Sequence, residues 1–351
     1  MSEKIRHVTR CYGRYQRCGA VRSPRMLVEV LPFNPPSSID LHNPFLLRCF
    51  GKVMMDEHTI CVVIPARDEE EHIQRVLETL PVLVDHAVVI DDGSIDSTYE
   101  RATIASSSAD VQVLKTEGIG VGGAIDLGHQ HFLNKVKQPF VSVVMAGDGQ
   151  MDPDDLHEVV QPIVNGIADH VKGNRISNAK DIEQMPKRRR RASRILGWLT
   201  TLASGRIIKD PQCGYTATSS ELLQSWDWNR SWSGYGYPNY WLIRLSSEGR
   251  RVVDVPVKAV YGDEQSGIRP LNFFLRVGWM MTIEHHRRAF HHLFKSPIMM
   301  LSFLFYLAGY LSIGMTFEQP LSILALLPCW WIAHRLDRNA MHRLRGGRTK
   351  I

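Results

Sequence analysis

The sequence predicts an α/β protein with a mostly parallel sheet, followed by a C-terminal pair of transmembrane helices. Short β-branched apolar segments alternate with helix-like segments between residues 58 and 262, and glycine and polar residues follow the apolar segments. Near the C-terminus, residues 298–317 contain no charged side chain. As a helix, that segment would be about 30 Å long, which matches the hydrocarbon core of a bilayer.

Composition limits the classes of function. The 351 residues are 44% hydrophobic and 22% charged, which excludes a wholly disordered chain. The 42 Lys and Arg residues exceed the 36 Asp and Glu residues, so an anionic partner is favoured. Six cysteines lie far apart without a CxxC pair, which argues against a zinc ribbon or a disulfide scaffold and favours a reducing compartment.

The first 57 residues form a separate region. They are basic, carry several prolines and keep no helical or strand period. We expect residues 1–57 to be an extended basic arm. The arm begins without an apolar core segment, so it is not expected to be a signal peptide.

Four strands are predicted in the domain formed by residues 58–262, at 59–64, 86–90, 111–114 and 140–145. A helix is predicted over 69–80, between the first two strands. Parallel strands connected by helices bind their ligands at the carboxyl ends of the strands. We therefore expect the polar residues after these strands to form a ligand site.

Carboxylates follow the first two predicted strands. Asp91 and Asp92 end the second strand, and the segment PARDEE at 65–70 ends the first. Carboxylates at neighbouring strand ends can accept hydrogen bonds from a nucleobase and a ribose. The glycine-rich turn at 118–123 lacks the Lys-Ser/Thr pair of a phosphate loop, so its glycines, Gly120 included, are expected to allow close approach to a bound nucleotide.

A candidate metal site follows the fourth strand. Asp148 and Gln150 supply oxygen ligands of the kind that Mg²⁺ or Mn²⁺ prefers when it also binds phosphate. Asp152 precedes Pro153 and is expected to cap a helix instead.

Later segments add cations and aromatic residues. Arg175 follows a glycine and an asparagine, and residues 187–191 read KRRRR. Aromatic residues that could stack on bases are not interleaved with this run, so we predict phosphate or lipid contact and no nucleic-acid partner. The segments 210–215 and 234–239, with Tyr215 and Tyr237, have the glycine, aromatic and polar composition of a sugar-binding wall.

The C-terminal third predicts a membrane attachment. Residues 263–296 comprise a polar loop and an amphipathic helix suited to a membrane interface, and residues 297–334 form two apolar runs with no Lys or Arg between them. Basic residues flank both runs, and 335–351 form a basic tail, so the positive-inside rule places both termini in the cytoplasm. Two buried helices of a soluble domain are the alternative.

The order of the motifs VVIPARDEE, VVIDDGSIDST, GDGQMDPDDL, GNR, DPQCGYTA, YGYPN and YGDEQSGIRP resembles family-2 inverting glycosyltransferases of GT-A fold. Within that family, the chain is most similar to polyprenyl-phosphate hexose synthases, over about residues 58–270. The resemblance implies a nucleotide-sugar donor, a polyprenyl phosphate acceptor and a divalent metal. One departure is Ala146, which stands where relatives usually have the first Asp of a DxD motif.

The resemblance also implies roles for individual residues. The nucleotide-binding residues would be Pro65, Arg67, Glu69, Asp91 and Asp92. Asp148 and Gln150 would hold the metal. Arg175 and Arg189 would bind the acceptor phosphate or the leaving group, and Asp210 would lie near acceptor and sugar. Ser266 and Arg269 would belong to a loop over the site.

Three functions follow from these observations. In the first, a lipid phosphate attacks the anomeric carbon; it is already ionised at pH 7, so metal and arginines need only align and stabilise charge. In the second, a lipid-linked or polysaccharide hydroxyl is the acceptor, and Asp210 is the candidate base. In the third, suggested by Ala146, the chain is an inactive membrane scaffold. A homo-oligomer is compatible with each of them.

Overall fold

The computed structural model describes residues 58–177, 187–258, 260 and 270–346. The predicted basic arm (1–57), Ser266, Arg269 and residues 347–351 of the basic tail lie outside the described residues.

A seven-stranded sheet forms the centre of the protein, in the order β3-β2-β1-β4-β6-β5-β7. Strand β6 runs antiparallel to β4 and β5, and the other pairs are parallel, which confirms the mostly parallel α/β sheet. The strands are β1 (Thr59–Ala66), β2 (His86–Asp91), β3 (Asp110–Lys115), β4 (Phe140–Val144), β5 (His170–Asn174), β6 (Thr216–Ser219) and β7 (Val252–Pro256).

Ten α-helices surround the sheet and extend from it in the described part of the chain. They are α1 (Ile73–Glu78), α2 (Thr98–Ile104), α3 (Val121–Lys135), α4 (Leu156–Val164), α5 (Lys187–Ser204), α6 (Ser220–Gln224), α7 (Tyr237–Ser247), α8 (Pro270–His292), α9 (Pro297–Met315) and α10 (Leu326–Gly346).

Helices cover both faces of the sheet. Because successive side chains of a strand point in opposite directions, one strand contributes to two apolar clusters. In β1, Ile60 and Val62 contribute to one apolar cluster, with residues of α1 and α4. Cys61 and Val63 contribute to the other, with residues of α3, α5, α7 and α8. The helices on this second face pack on one another, and α7 contacts both α5 and α8.

The helix predicted over 69–80 is shorter in the structure and covers only Ile73–Glu78. Residues before it form a turn that is tied to the loop after β2. Asp68 has a left-handed backbone conformation, with φ of 55°, and its amide donates to Ser94 Oγ at 2.9 Å. These long-range contacts delay the start of the helix, which local periodicity could not indicate.

Helices α9 and α10 pack antiparallel to each other. Ser302 Oγ donates to the Ala333 carbonyl at 2.8 Å, and a side chain at Gly309 would collide with Trp330. Helix α9 alone, within the described residues, is long and apolar enough to cross a membrane. The second predicted apolar run is divided between a 3₁₀ helix, Pro320–Ala325, and the start of α10. The structure therefore supports one candidate span, and the second helix of the transmembrane hairpin stays a prediction.

A buried ion pair connects this C-terminal part to the sheet domain. Arg288 of α8 donates to both carboxylate oxygens of Asp337 in α10, at 3.0 and 2.6 Å. The same guanidinium donates to the Ala203 carbonyl near the end of α5 at 2.8 Å. Arg288 is 1% exposed and Asp337 is 2% exposed. Three helices are thus fixed to one another at a single buried side chain.

Candidate functional site

The loops after β1, β2 and β4 meet at one edge of the sheet. The Asp92 amide donates to the Ala66 carbonyl at 2.9 Å, and the Gly147 amide donates to the Pro65 carbonyl at 3.0 Å. Asp91 is paired with Ala66 in the register of the parallel strands. The structure therefore places Pro65, Asp91 and Asp92 at the edge where the loop of Asp148 begins.

The loops after β1 and β2 are connected by side-chain hydrogen bonds. The Ile95 amide donates to Asp68 Oδ1 at 2.9 Å, and the Glu69 amide donates to Thr98 Oγ1 at 2.7 Å. Arg67 is exposed beside this connection, and its guanidinium lies near the Cα of Gly118 in the glycine-rich turn. Arg67 and Glu69 therefore lie at the rim of the edge that Asp91 occupies.

Asp91 carries a buried oxygen atom that accepts no hydrogen bond from the residues that the structure describes. Its Oδ1 accepts from the Ser94 amide at 3.0 Å, while its Oδ2 is the atom without a hydrogen bond in that part of the chain. Lys115 Nζ forms a long ion pair with that oxygen, at 3.9 Å. A buried carboxylate oxygen left without a donor is costly, so this position suits the N–H group of a ligand.

Asp92 has a different role in the structure. Its Oδ1 accepts from Thr116 Oγ1 and from the Ile119 amide, both at 2.6 Å, and its Oδ2 accepts from the Gly120 amide at 2.8 Å. Both oxygens are thus used to hold the glycine-rich turn. Asp92 shapes the site through this turn, whereas Asp91 has the oxygen that can still accept a hydrogen bond from a ligand.

The glycines of the turn allow another segment of the backbone to pack directly against them. Gly120 has φ of 85°, and a side chain there would collide with the Ser233 carbonyl. A side chain at Gly122 would collide with the Trp232 carbonyl. The expected close approach at these glycines is therefore made by the segment between α6 and α7.

Asp148 lies half-buried in the turn after β4, and its Oδ1 accepts from the Gln150 amide at 3.0 Å. Asp152 accepts from the Asp154 amide at 2.9 Å and caps a 3₁₀ helix, Pro153–Asp155, which confirms its predicted capping role. No group of three or more His, Cys, Asp or Glu side chains suitable for a metal occurs in the part of the chain that the structure describes. One carboxylate with a neighbouring amide fits a Mg²⁺ or Mn²⁺ ion that arrives with phosphate oxygens.

Arg175, directly after β5, forms a bidentate ion pair with Asp210, which precedes the neighbouring strand β6. Arg175 donates through Nε to Oδ2 at 2.9 Å and through Nη2 to Oδ1 at 3.0 Å. Asp210 is fully buried, and its main-chain carbonyl accepts from the buried Lys172 at 2.8 Å. Burial opposes ionisation of Asp210, but the charge and hydrogen bonds of Arg175 hold its pKa below the ordinary value.

The two predicted tyrosines lie in the interior. Tyr215 is 1% exposed, and its hydroxyl donates to the Asp152 carbonyl at 3.3 Å. Tyr237 is 6% exposed, and its hydroxyl donates to Asp126 at 2.8 Å. This placement favours packing and positioning over direct contact with an acceptor.

Arg189 lies in α5, and its side chain is outside the described ones.

Sequence reasoning missed three buried or anchored residues. Lys172 occupies a buried strand position, and Asp126 lies among the apolar residues of α3, where a charged side chain was itself a usable signal. Lys258, after β7, donates through Nζ to Asp152 at 2.8 Å and through its amide to Asp155 at 2.6 Å. It fixes the end of β7 beside the loop that contains Asp148.

Residues 61–225 match the sequence profile described as glycosyl transferase family 2. The UDP-N-acetylglucosamine–dolichyl-phosphate N-acetylglucosaminyltransferase of Methanococcus voltae is 28% identical over 224 residues, covering 59% of this chain and 88% of that protein. The undecaprenyl-phosphate mannosyltransferase of Micrococcus luteus is 29% identical over 206 residues, covering 57% of this chain and 83% of that protein.

The fold is also similar to that of glucosyl-3-phosphoglycerate synthase from Mycobacterium tuberculosis, crystallised with Mn²⁺, uridine diphosphate and phosphoglyceric acid. The TM-score is 0.52 at 21% identity, with 67% of this chain and 81% of that chain covered. This likeness, together with the sheet topology, shows a GT-A-like α/β fold.

Proposed function

Because the chain belongs to glycosyl transferase family 2, we propose that it transfers a hexose from a nucleotide-sugar to a polyprenyl phosphate at the cytoplasmic face of a membrane. One observation carries the proposal: the sheet edge with its carboxylates and the candidate membrane span are packed together in the same structure. Arg288 connects the helices on the sheet to α10, which packs along the apolar helix α9.

The donor would bind at the edge formed by β1, β2 and β4. The Oδ2 of Asp91, which accepts no hydrogen bond within the described residues, would accept one from an N–H group of the base. Pro65 near the end of β1, with Arg67 and Glu69 on the loop after it, would complete the nucleotide pocket. Asp92 would keep the glycine-rich turn in place through its three hydrogen bonds.

Asp148 and Gln150 would hold a Mg²⁺ or Mn²⁺ ion together with the donor diphosphate. The bound ion would neutralise the charge of the departing diphosphate. Asp148 is suited to this task because its carboxylate is half-buried at the sheet edge. Ala146 removes one carboxylate of the usual motif, so the substrate phosphates would supply more of the ligands.

A phosphate acceptor fits the protein groups better than a hydroxyl acceptor does. A hydroxyl needs a base that can reach it, and Asp210 is fully buried with both oxygens bonded to Arg175. A lipid phosphate is already ionised, so alignment and charge stabilisation suffice. The names of the similar proteins from Methanococcus voltae and Micrococcus luteus specify dolichyl phosphate and undecaprenyl phosphate, which are both polyprenyl phosphates.

Membrane contact is supported by three helices. Helix α9 is 19 residues long, and leucines along it are exposed. On α8, Leu271, Leu275 and Trp279 are spaced four residues apart and are all exposed. On α5, Trp198 is exposed on the same face as Arg191 and Arg194, a combination that suits an interface with anionic lipid. Both chain termini would lie on the cytoplasmic side.

The proposal is tested by incubating the purified full chain with a short-chain polyprenyl phosphate and Mg²⁺ or Mn²⁺. UDP-glucose, UDP-N-acetylglucosamine and GDP-mannose serve as donors, and the lipid product is identified by mass. We expect one donor to give a hexosyl polyprenyl phosphate. Labelling of a longer saccharide and not of the lipid phosphate would support the hydroxyl-acceptor function, and failure of every donor to react or bind would support an inactive scaffold.

Replacing Arg175 with lysine should lower turnover roughly tenfold to a hundredfold. A lysine cannot make both hydrogen bonds to Asp210, so the cation proposed to bind the acceptor phosphate or the leaving group would no longer be held in place. Arg251→Lys is the matched control. Arg251 also donates through its guanidinium to one carboxylate, that of Asp169, but this exposed pair lies at the opposite end of the strands. Steady-state kinetics of both variants check the prediction, and equal kinetics would contradict a role for Arg175 in the site.

A further inference from the structure

The segment between α6 and α7 covers the glycine-rich turn. We call residues 230–237, which end at the first residue of α7, the bridging segment. The Gly122 amide donates to the Ser233 carbonyl at 2.8 Å, and the absence of a side chain at Gly120 and Gly122 permits this contact. The Gly120 amide, in turn, donates to Asp92. One face of the bridging segment therefore rests on the turn that Asp92 holds.

The other face of the bridging segment contacts α8. Gly236 has φ of 96°, and a side chain there would lie 2.7 Å from Val277 Cγ2. Arg230 Nη2 lies 3.8 Å from Glu284 Oε2. Val277 and Glu284 both belong to α8 and are buried. The bridging segment thus lies between the turn at the sheet edge and the helix next to the candidate membrane span.

Asp126 holds both ends of the bridging segment. Its Oδ2 accepts from the hydroxyl of Ser231, and its Oδ1 accepts from the hydroxyl of Tyr237 at 2.8 Å. Asp126 is 5% exposed and lies one helical turn after Gly122 in α3. Burial raises the pKa of Asp126 to about 6, although the hydrogen bonds from the two hydroxyls offset part of the rise. A buried carboxylate with two matched donors is satisfied only when both ends of the segment are in place.

We propose that Asp126 is a positioning residue for the donor, because it fixes the bridging segment against the glycine-rich turn and thereby sets the position of Asp92. The inference rests on the proposed function of the sheet edge as the donor site. Asp126 itself is too deeply buried to touch the substrate. Its effect passes through Ser231 and Tyr237 to the segment, and from Ser233 to Gly122.

The test replaces Asp126 with asparagine, which keeps the size of the side chain but replaces one acceptor with a donor. We expect KM for the nucleotide-sugar to rise about tenfold while kcat changes less than about twofold, since donor binding and not the chemical step is disturbed. Ser231→Ala, which removes one bond at the exposed end, should raise KM about threefold, as expected for one weaker hydrogen bond. Isothermal titration with uridine diphosphate and guanosine diphosphate measures nucleotide binding independently of turnover.

Asp110→Asn is the matched control, because Asp110 is an exposed carboxylate at the start of β3 that pairs with His86. Its kinetics should equal those of the wild-type chain. If both Asp126→Asn and Ser231→Ala lower the melting temperature but keep wild-type KM and nucleotide affinity, Asp126 is only structural and the inference is overturned. A wild-type chain that binds neither nucleotide would overturn the proposed function, and this inference with it.

Discussion

Replacing Asp148 with asparagine should reduce sugar transfer roughly a hundredfold to a thousandfold, because the departing diphosphate loses the carboxylate that holds its metal. The fold should be kept. Asparagine retains a side-chain oxygen that can accept from the Gln150 amide, the bond that Asp148 makes now. Turnover measured over a range of Mn²⁺ concentrations checks the prediction, and the variant should need far more metal for its remaining activity.

Asp152→Asn provides the control from the same loop. Asp152 caps the 3₁₀ helix and pairs with Lys258, and an asparagine can still cap. We expect this variant to keep the metal dependence of the wild-type chain. Equal activity of Asp148→Asn and the wild-type chain at low metal concentration would refute the assignment of Asp148 as a metal ligand.

Replacing Asp337 with asparagine should lower the free energy of unfolding by about 3–5 kcal/mol, because Arg288 would remain buried without its counter-charge. Thermal unfolding in detergent measures the change. The pKa of Asp337 is held below its ordinary value by Arg288, although burial opposes this. The stabilisation from this pair is therefore complete above the unfolded-state pKa and is lost as the pH falls through the lower folded-state pKa.

A double variant separates the charge from the packing. Arg288→Met combined with Asp337→Leu removes both charges and should recover most of the stability lost in Asp337→Asn. Arg287→Gln is the control, since the Arg287 side chain is 57% exposed and its partner Glu284 also lies 3.8 Å from Arg230, so a smaller loss of stability is expected. Wild-type stability of Asp337→Asn would show that α10 is not fixed to the sheet domain by this pair.

The sequence determined which residues reach the sheet edge. Asp91 and Asp148 follow buried β-branched segments, and parallel strands have their carboxyl ends at one edge. It also predicted the apolar helix α9, because nineteen mostly apolar residues without a charge suit a membrane or a deep core. These results need only the periodicity and composition of short segments, which are local properties.

Only the tertiary structure decided how the carboxylates at that edge are used. Asp91 and Asp92 are adjacent in sequence, yet both oxygens of Asp92 accept hydrogen bonds from the glycine-rich turn, and one oxygen of Asp91 accepts none from the described residues. The partners of Arg175 and Arg288 are 35 and 49 residues away. Local patterns fix which face of a strand or helix is buried, whereas a hydrogen-bond partner depends on where distant segments cross, which no periodicity records.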